Sequence, residues 1–269
     1  MVGAVFVNRC VYFLMIILLF PCTVFAENSP YKLSLAKDIT LISVGAAFNV
    51  TNYFIADYHS TLKQQDLVLM SRSDVNWFDR RATYNWSLKY DSMSNVTRDI
   101  AFFMPLSLLL SDYIRQDILT ISVLYIETWL IANGLKDCLK SITGRPRPYV
   151  YNEDVDDEIK MTRDAIRSFP SGHTTTAFFS GAFFATVFSD YYPRSHWKLP
   201  VWIASLSIAA ATGYFRYKAG KHYPTDILAG AVIGGVAGYG VPYLHKECGN
   251  VAIVPTGDGI SIGVMMAIN

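Results

Sequence analysis

Three short clusters carry side chains suited to holding and moving a phosphoryl group. Lys140 precedes Arg147 by seven positions, Pro170-Ser171-Gly172-His173 follows, and Arg216, His222 and Asp226 read R-x5-H-x3-D. Together they supply two imidazoles, a carboxylate and three cations. A phosphate ester asks for charge neutralisation, a nucleophile, an acid for the leaving oxygen, and positioning. Arginine offers a planar fork to phosphate oxygens and lysine a point charge. A histidine backed by a carboxylate can act as nucleophile, so these residue types suffice for transfer without a metal.

Each cluster also has a plainer reading. Lys140 sits where an apolar helix ends, and Gly144-Arg145-Pro146-Arg147-Pro148 turns the chain. The prolines stop the helix and stiffen the turn, so Arg147 projects from a restrained backbone; a basic loop anchoring a membrane helix would look the same. Ser171 can cap the next helix, Gly172 lets a backbone N–H approach a ligand, and the helix start favours an anion beside His173. The alternative is an ordinary cap with an incidental histidine. Arg216 closes a helix, His222 lies in a loop and Pro224 opens a helix with Asp226 in its first turn. That spacing lets Asp226 accept from one ring nitrogen while the other attacks phosphorus; a juxtamembrane basic loop is the competing account.

In this order the clusters resemble the PAP2 (type 2 phosphatidic acid phosphatase) superfamily, which includes membrane lipid phosphatases, soluble bacterial acid phosphatases and vanadium haloperoxidases. The resemblance covers roughly residues 98–244 and is closest to the bacterial membrane lipid phosphatase branch. It implies His222 as nucleophile through a phosphohistidine, Asp226 as its orienter and His173 as general acid. Lys140, Arg147, Arg216, Ser171 and the Gly172 backbone would bind the phosphate oxygens, with no metal or other cofactor. A neutral His222 and a protonated His173 imply a bell-shaped pH profile. One departure is visible: the third motif commonly begins Ser-Arg, and here Phe215 precedes Arg216, which implies lost secondary support for the phosphate.

The elements that must position these groups follow from hydropathy. Of 269 residues, 52% are hydrophobic and 17% charged, with net charge +1. That balance leans towards a bilayer and away from a nucleic-acid partner. Residues 1–26 read as a signal peptide, with Arg9 before an apolar run and Val24-Phe25-Ala26 before Glu27; an uncleaved anchor is the alternative. Of four cysteines, only Cys138 and Cys248 would then remain, too few for a disulfide framework. The expected fold is all-α, a six-helix membrane-embedded bundle with helices at about 37–56, 98–114, 117–136, 171–189, 198–215 and 224–244. Residues 27–97 would form the first helix and an interfacial segment, 98–248 the catalytic core, and 249–269 a β-hairpin around Thr256-Gly257-Asp258-Gly259.

Smaller features rank lower. Gly230, Gly234 and Gly238 suggest helix packing. The 57–97 stretch, with Trp77, Arg80, Arg81 and Trp86, is either an amphipathic surface segment on the side of the clusters or a plain loop. Glu127 is an intramembrane carboxylate expected to be buried and hydrogen-bonded. The acidic run from Glu153 to Glu158 reads as solvated, and His59, His196 and His245 have no partners at metal-ligand spacing.

The reading is therefore a metal-independent phosphatase of the bacterial inner membrane, multi-pass, its site facing the periplasm. Its partners would be the membrane and a lipid phosphate or diphosphate: lipid A, undecaprenyl diphosphate, phosphatidylglycerol phosphate or phosphatidate. Counting crossings instead puts the clusters in the cytoplasm unless one early helix does not cross. A lipid-to-lipid phosphotransferase, a soluble periplasmic acid phosphatase and a non-catalytic lipid-binding membrane protein stay open. Halide oxidation does not suit so short and apolar a chain. Oligomeric state is not encoded in any of these features.

Overall fold

The computed structural model describes residues 29–246, 251–256 and 259–264; the expected signal peptide lies outside the described residues. Nine α-helices occur among them. They are α1 (Leu35–Ile55), α2 (Gln64–Leu69), α3 (Leu88–Phe103), α4 (Asp112–Arg115), α5 (Ile118–Thr143), α6 (Asp157–Lys160), α7 (Gly172–Tyr191), α8 (Lys198–Lys218) and α9 (Pro224–His245). The expected count of six is thus too low: α2, α4 and α6 are too short to leave an apolar period in the sequence. Two strands, β1 (Val251–Thr256) and β2 (Gly259–Val264), pair antiparallel, with Val251 opposite Val264 and Thr256 opposite Gly259.

The second long helix is the one most displaced from expectation. Instead of 98–114, α3 starts at Leu88, where the Ser87 hydroxyl accepts from the Tyr90 N–H at 3.4 Å. Its first half is polar (Lys89, Asp91, Ser94, Asn95, Arg98), so hydropathy passes over it. Pro105 sits at the start of the 3-10 turn Met104–Leu110 that ends it. Helix α5 runs seven residues past expectation and stops at Gly144, which takes the left-handed conformation (φ 54°).

Helix α7 is the central element, packed against α3, α5, α8 and α9. Ala177, Phe179, Phe183 and Val187 on it are fully buried. The glycine row on α9 is what lets that helix approach. A Cβ at Gly230, Gly234 or Gly238 would stand 2.6, 2.4 or 2.3 Å from the carbonyl oxygens of Ser171, Thr175 and Phe179. Helix α1 lies beside α5 with the same chain direction, since Asn49 donates to the Leu130 carbonyl and Ser141 to Asn52.

The outer surface is apolar. Leu228, Val232, Val236 and Tyr243 form an exposed stripe along α9, with Val236 68% accessible. Such a stripe repeated around a bundle suits lipid rather than water. Two stretches among the described residues have the length and apolarity of a bilayer span, Ile118–Tyr151 and Pro224–His245, with mean hydropathies of 1.5 and 1.6. The remaining long helices fall short because they carry charged or hydroxyl-rich turns, as α3 and α7 do.

The glycine row gives a direct test. Gly234→Val should lower thermal stability in detergent by about 2 kcal/mol or more, because a Cβ there meets backbone that cannot move away. Gly235→Ala, with nothing within 4 Å of its Cβ, should be neutral or slightly stabilising. Equal melting temperatures for the two variants would contradict this packing.

Candidate active site

All three clusters meet at one end of the bundle. Helices α5 and α8 end there, α7 and α9 begin there, and the polar first half of α3 closes the side. The cavity between them measures about 420 Å³. Lys140, Arg147, Gly172, His173, Arg216 and His222 line it. Ser171 and Asp226 do not reach the cavity; both are fully buried behind it.

His222 follows from a tight turn after α8. Gly220 has φ 70°, and a Cβ there would stand 2.0 Å from the Asn85 carbonyl oxygen, so only glycine fits. Its Nε2 lies 3.4 Å from Arg147 Nη1 on the cavity side, and its Nδ1 lies 3.5 Å from Asp226 Oδ2. The second distance is long for a hydrogen bond, and Nδ1 makes none. Burial pushes the His222 imidazole well below its ordinary value, and Arg147, Lys140, Arg216 and His173 push it further. His222 is therefore neutral through the ordinary pH range, and an acid limb near pH 6.5 in a bell-shaped rate profile would not be its own titration.

Asp226 is held from three directions. Its Oδ2 accepts from the Ser168 hydroxyl at 2.5 Å and the Tyr223 N–H at 2.9 Å, and its Oδ1 pairs with Arg145 at 2.6 Å. Arg145 also pairs with the fully buried Asp79 at 2.8 Å and lies over the Tyr223 ring at 4.0 Å. Asp79 in turn accepts from the Thr225 hydroxyl and N–H and from Asn76. Although burial alone would raise Asp79, these donors hold it below the usual carboxylate value.

The cations are steered by counter-charges at the rim. Arg147 Nη2 pairs with Asp164 at 2.6 Å and its Nε donates to the Asp164 carbonyl. Arg216 pairs with Asp91 and reaches the Ser94 hydroxyl at 3.4 Å, while its Nε is buried without a hydrogen-bond partner. Lys140 donates to the Arg167 carbonyl at 2.8 Å. Gly172 faces the lysines: a Cβ there would meet Lys136 Cδ at 3.3 Å and Lys140 Cε at 3.7 Å. Ser171 occupies the cap position of α7, but its hydroxyl bonds Thr174 Oγ1 at 2.8 Å and caps no N–H.

His173 Nε2 sits 2.7 Å from Asn95 Oδ1 and 3.0 Å from Arg98 Nη1. Neither partner was expected from the sequence, nor were Arg145, Ser168, Asp79, Lys136 and Lys221. Arg145 belongs to the Gly144–Pro148 turn, two positions before Arg147, and its basic character and place in that turn are the signal that could have found it. Asn95 lies three residues before the expected second helix and Arg98 is its first residue, so a better helix start would have found them. The place held by Ser in the third motif is taken by Phe215, which stacks on Tyr90 at 5.9 Å between ring centres.

A family model described as PAP2 superfamily matches residues 119–249. It is 33% identical over 130 residues to the lipid A 1-phosphatase of Rhizobium etli, covering 46% of this chain and 51% of that protein. It is 32% identical over 124 residues to the probable diacylglycerol pyrophosphate phosphatase 1 of Schizosaccharomyces pombe, covering 38% and 44%. The chain thus spans about half the length of the curated relatives it matches. Among solved structures, a transmembrane PAP2-type phosphatidylglycerolphosphate phosphatase from Bacillus subtilis aligns with 78% of this chain and 96% of its own, at 20% identity and TM-score 0.46.

The state of His222 has a measurable consequence. Its pKa is depressed in the folded chain, so below the unfolded value of about 6.5 the unfolded chain binds a proton the folded one does not. Stability therefore falls as pH drops below that value and is unaffected by this group above it. Relative to His222→Asn, the wild type should lose stability progressively as the pH falls from 7 to 5. Unfolding of both proteins at pH 7, 6 and 5 measures this, and a pH-independent difference would refute it.

Proposed function

We propose that this chain is a membrane-embedded phosphatase that removes phosphate from a lipid phosphate or diphosphate by way of a phosphohistidine. The observation that supports it most is His222, with one nitrogen turned to the cation-lined cavity and the other to a buried carboxylate. The Nε2 lone pair attacks phosphorus, the N–P bond forms and the P–O bond to the lipid breaks. Burial and the neighbouring Arg216, Arg98, Arg147 and Lys140 push the His173 imidazole far below its ordinary value, against the protonated state expected from the sequence. It therefore takes a proton only when the negative charge of the bound phosphate offsets those cations, and then gives it to the leaving oxygen. Water then attacks phosphorus as the N–P bond breaks, and its proton returns to His173. Asp226 holds the Nδ1–H tautomer and steadies the positive charge that grows on the ring, in the manner of a hydrolase triad.

Lys140, Arg147, Arg216 and the Gly172 N–H stabilise the charge on the transferring oxygens. Losing one such donor costs about 3 kcal/mol in comparable sites. Arg98, Lys136 and Lys221 also line the cavity, and Arg98 and Lys136 are paired with Asp99 and Asp137 as Arg147 and Arg216 are with Asp164 and Asp91. The surplus of two positive charges matches a single phosphate dianion. The apolar flank of α9 supports membrane embedding, with lipid tails in the bilayer and the headgroup entering from the helix ends. On this reading the protein resides in the inner membrane, and a cavity facing the periplasm requires that one early helix not cross fully.

Purified protein in detergent should release inorganic phosphate from a panel of lipid phosphates and diphosphates with EDTA present. His222→Ala should abolish release, and Arg145→Met should lower kcat about 10- to 100-fold by freeing Asp226. Full activity in His222→Ala would reject the mechanism, and transfer without free phosphate would reject hydrolysis.

A further inference from the structure

About 28 Å along α9 from Asp226, at the other end of the helix, a second group of ionisable side chains is buried. His245 on α9 and Glu127 on α5 are fully enclosed, and Asp38 on α1 is partly exposed. The ligand atoms of all three lie within 4.8 Å of one another. His245 Nε2 is 2.9 Å from Asp38 Oδ1 and 3.5 Å from Glu127 Oε2. Glu127 does not hydrogen-bond as its burial would require: neither carboxylate oxygen has a hydrogen-bond partner. A buried carboxylate in that state is costly unless a cation meets it.

We propose that Asp38, Glu127 and His245 bind a divalent transition-metal ion, with zinc the best fit. His245 Nδ1 lies 2.9 Å from the Val241 carbonyl and can only donate to it, which leaves the Nε2 lone pair directed at the two carboxylates. That is the arrangement in which a backbone carbonyl sets the tautomer of a metal-bound histidine. Charge agrees: even a doubly protonated imidazole leaves one of the two carboxylate charges unmet. A divalent ion with a neutral imidazole closes the sum to zero. Ligand atoms about 2.1 Å from tetrahedral zinc sit about 3.4 Å apart, close to two of the three edges here, with water as the fourth ligand. The imidazole disfavours magnesium and calcium, which prefer oxygen alone. The ion would tie α1, α5 and α9 together and has no part in the phosphate chemistry.

The test uses full-length protein purified in detergent through a tag without histidines, so that no other metal binder is added. After chelation and removal of the chelator, zinc chloride at 100 µM should raise the melting temperature by about 5 °C or more, as saturation of a micromolar site implies. Glu127→Gln and Asp38→Asn keep the shape of each side chain and should remove that shift, together with at least nine-tenths of the zinc measured by elemental mass spectrometry. A wild type that neither carries nor responds to zinc or manganese would overturn the site and leave a proton as the bridging cation. An equal shift in both variants would overturn it as well. Neither readout depends on phosphatase activity, so failure here and failure of the proposed reaction are separately visible.

Discussion

A carboxylate sealed from water must be met by donors, and at Asp226 that requirement organises the phosphate-binding end of the bundle. Its donors come from three parts of the chain: the turn after α5 through Arg145, the approach to α7 through Ser168, and the start of α9 through the Tyr223 N–H, with the His222 ring beside it at 3.5 Å. Arg145 extends the arrangement to Asp79, and so fastens the segment between α1 and α3 as well. Removing one member of such a buried pair strands the other at a cost of about 3–5 kcal/mol. The ring orientation of His222 is thus set by interactions that the whole end of the fold shares.

The cations pose the opposite problem. Lys140, Arg147 and Arg216 are each at most 7% exposed and crowd a single cavity. Their mutual repulsion is only partly relieved by Asp164 and Asp91, which bind the flanks of Arg147 and Arg216. The unpaired Nε of Arg216 marks what is left over. An anion entering the cavity relieves this strain, so charge already assembled on folding becomes binding energy. Burial also explains why His222 stays neutral beside three cations: its lone pair is kept for an incoming electrophile.

The residues of the three clusters were legible because their spacing is local and each sits at a helix end, where prolines and glycines punctuate the chain. What was missed had no local signal. Asn95 and Arg98 reach His173 from a helix whose polar start hid it from hydropathy. Asp79 and Arg145 meet across 66 positions, and neither is unusual in its own neighbourhood. Glu127 was readable as buried but not as lacking hydrogen bonds. His245 showed no metal-like spacing because its neighbours Asp38 and Glu127 lie on two other helices. Sequence periodicity reports which face of a helix is apolar, and pairing between distant helices depends on packing it does not contain.

That packing bears directly on the chemistry. His173 is carried by α7 and Asp226 by α9, and the Ser171 N–H donates to the Asp226 carbonyl at 3.0 Å. At the same level a Cβ on Gly230 would stand 2.6 Å from the Ser171 carbonyl oxygen, so the glycine row sets the separation of the two helices where their functional side chains depart. Transfer between an acid and a nucleophile on opposite sides of one phosphorus is sensitive to displacements of about an ångström. A side chain at Gly230 would therefore alter the distance between the two imidazoles before it unfolded the bundle. The apolar outer surface and the small-residue inner seam serve one end: they let two helices lie close enough, in a lipid setting, to hold a charged site rigid at their tips.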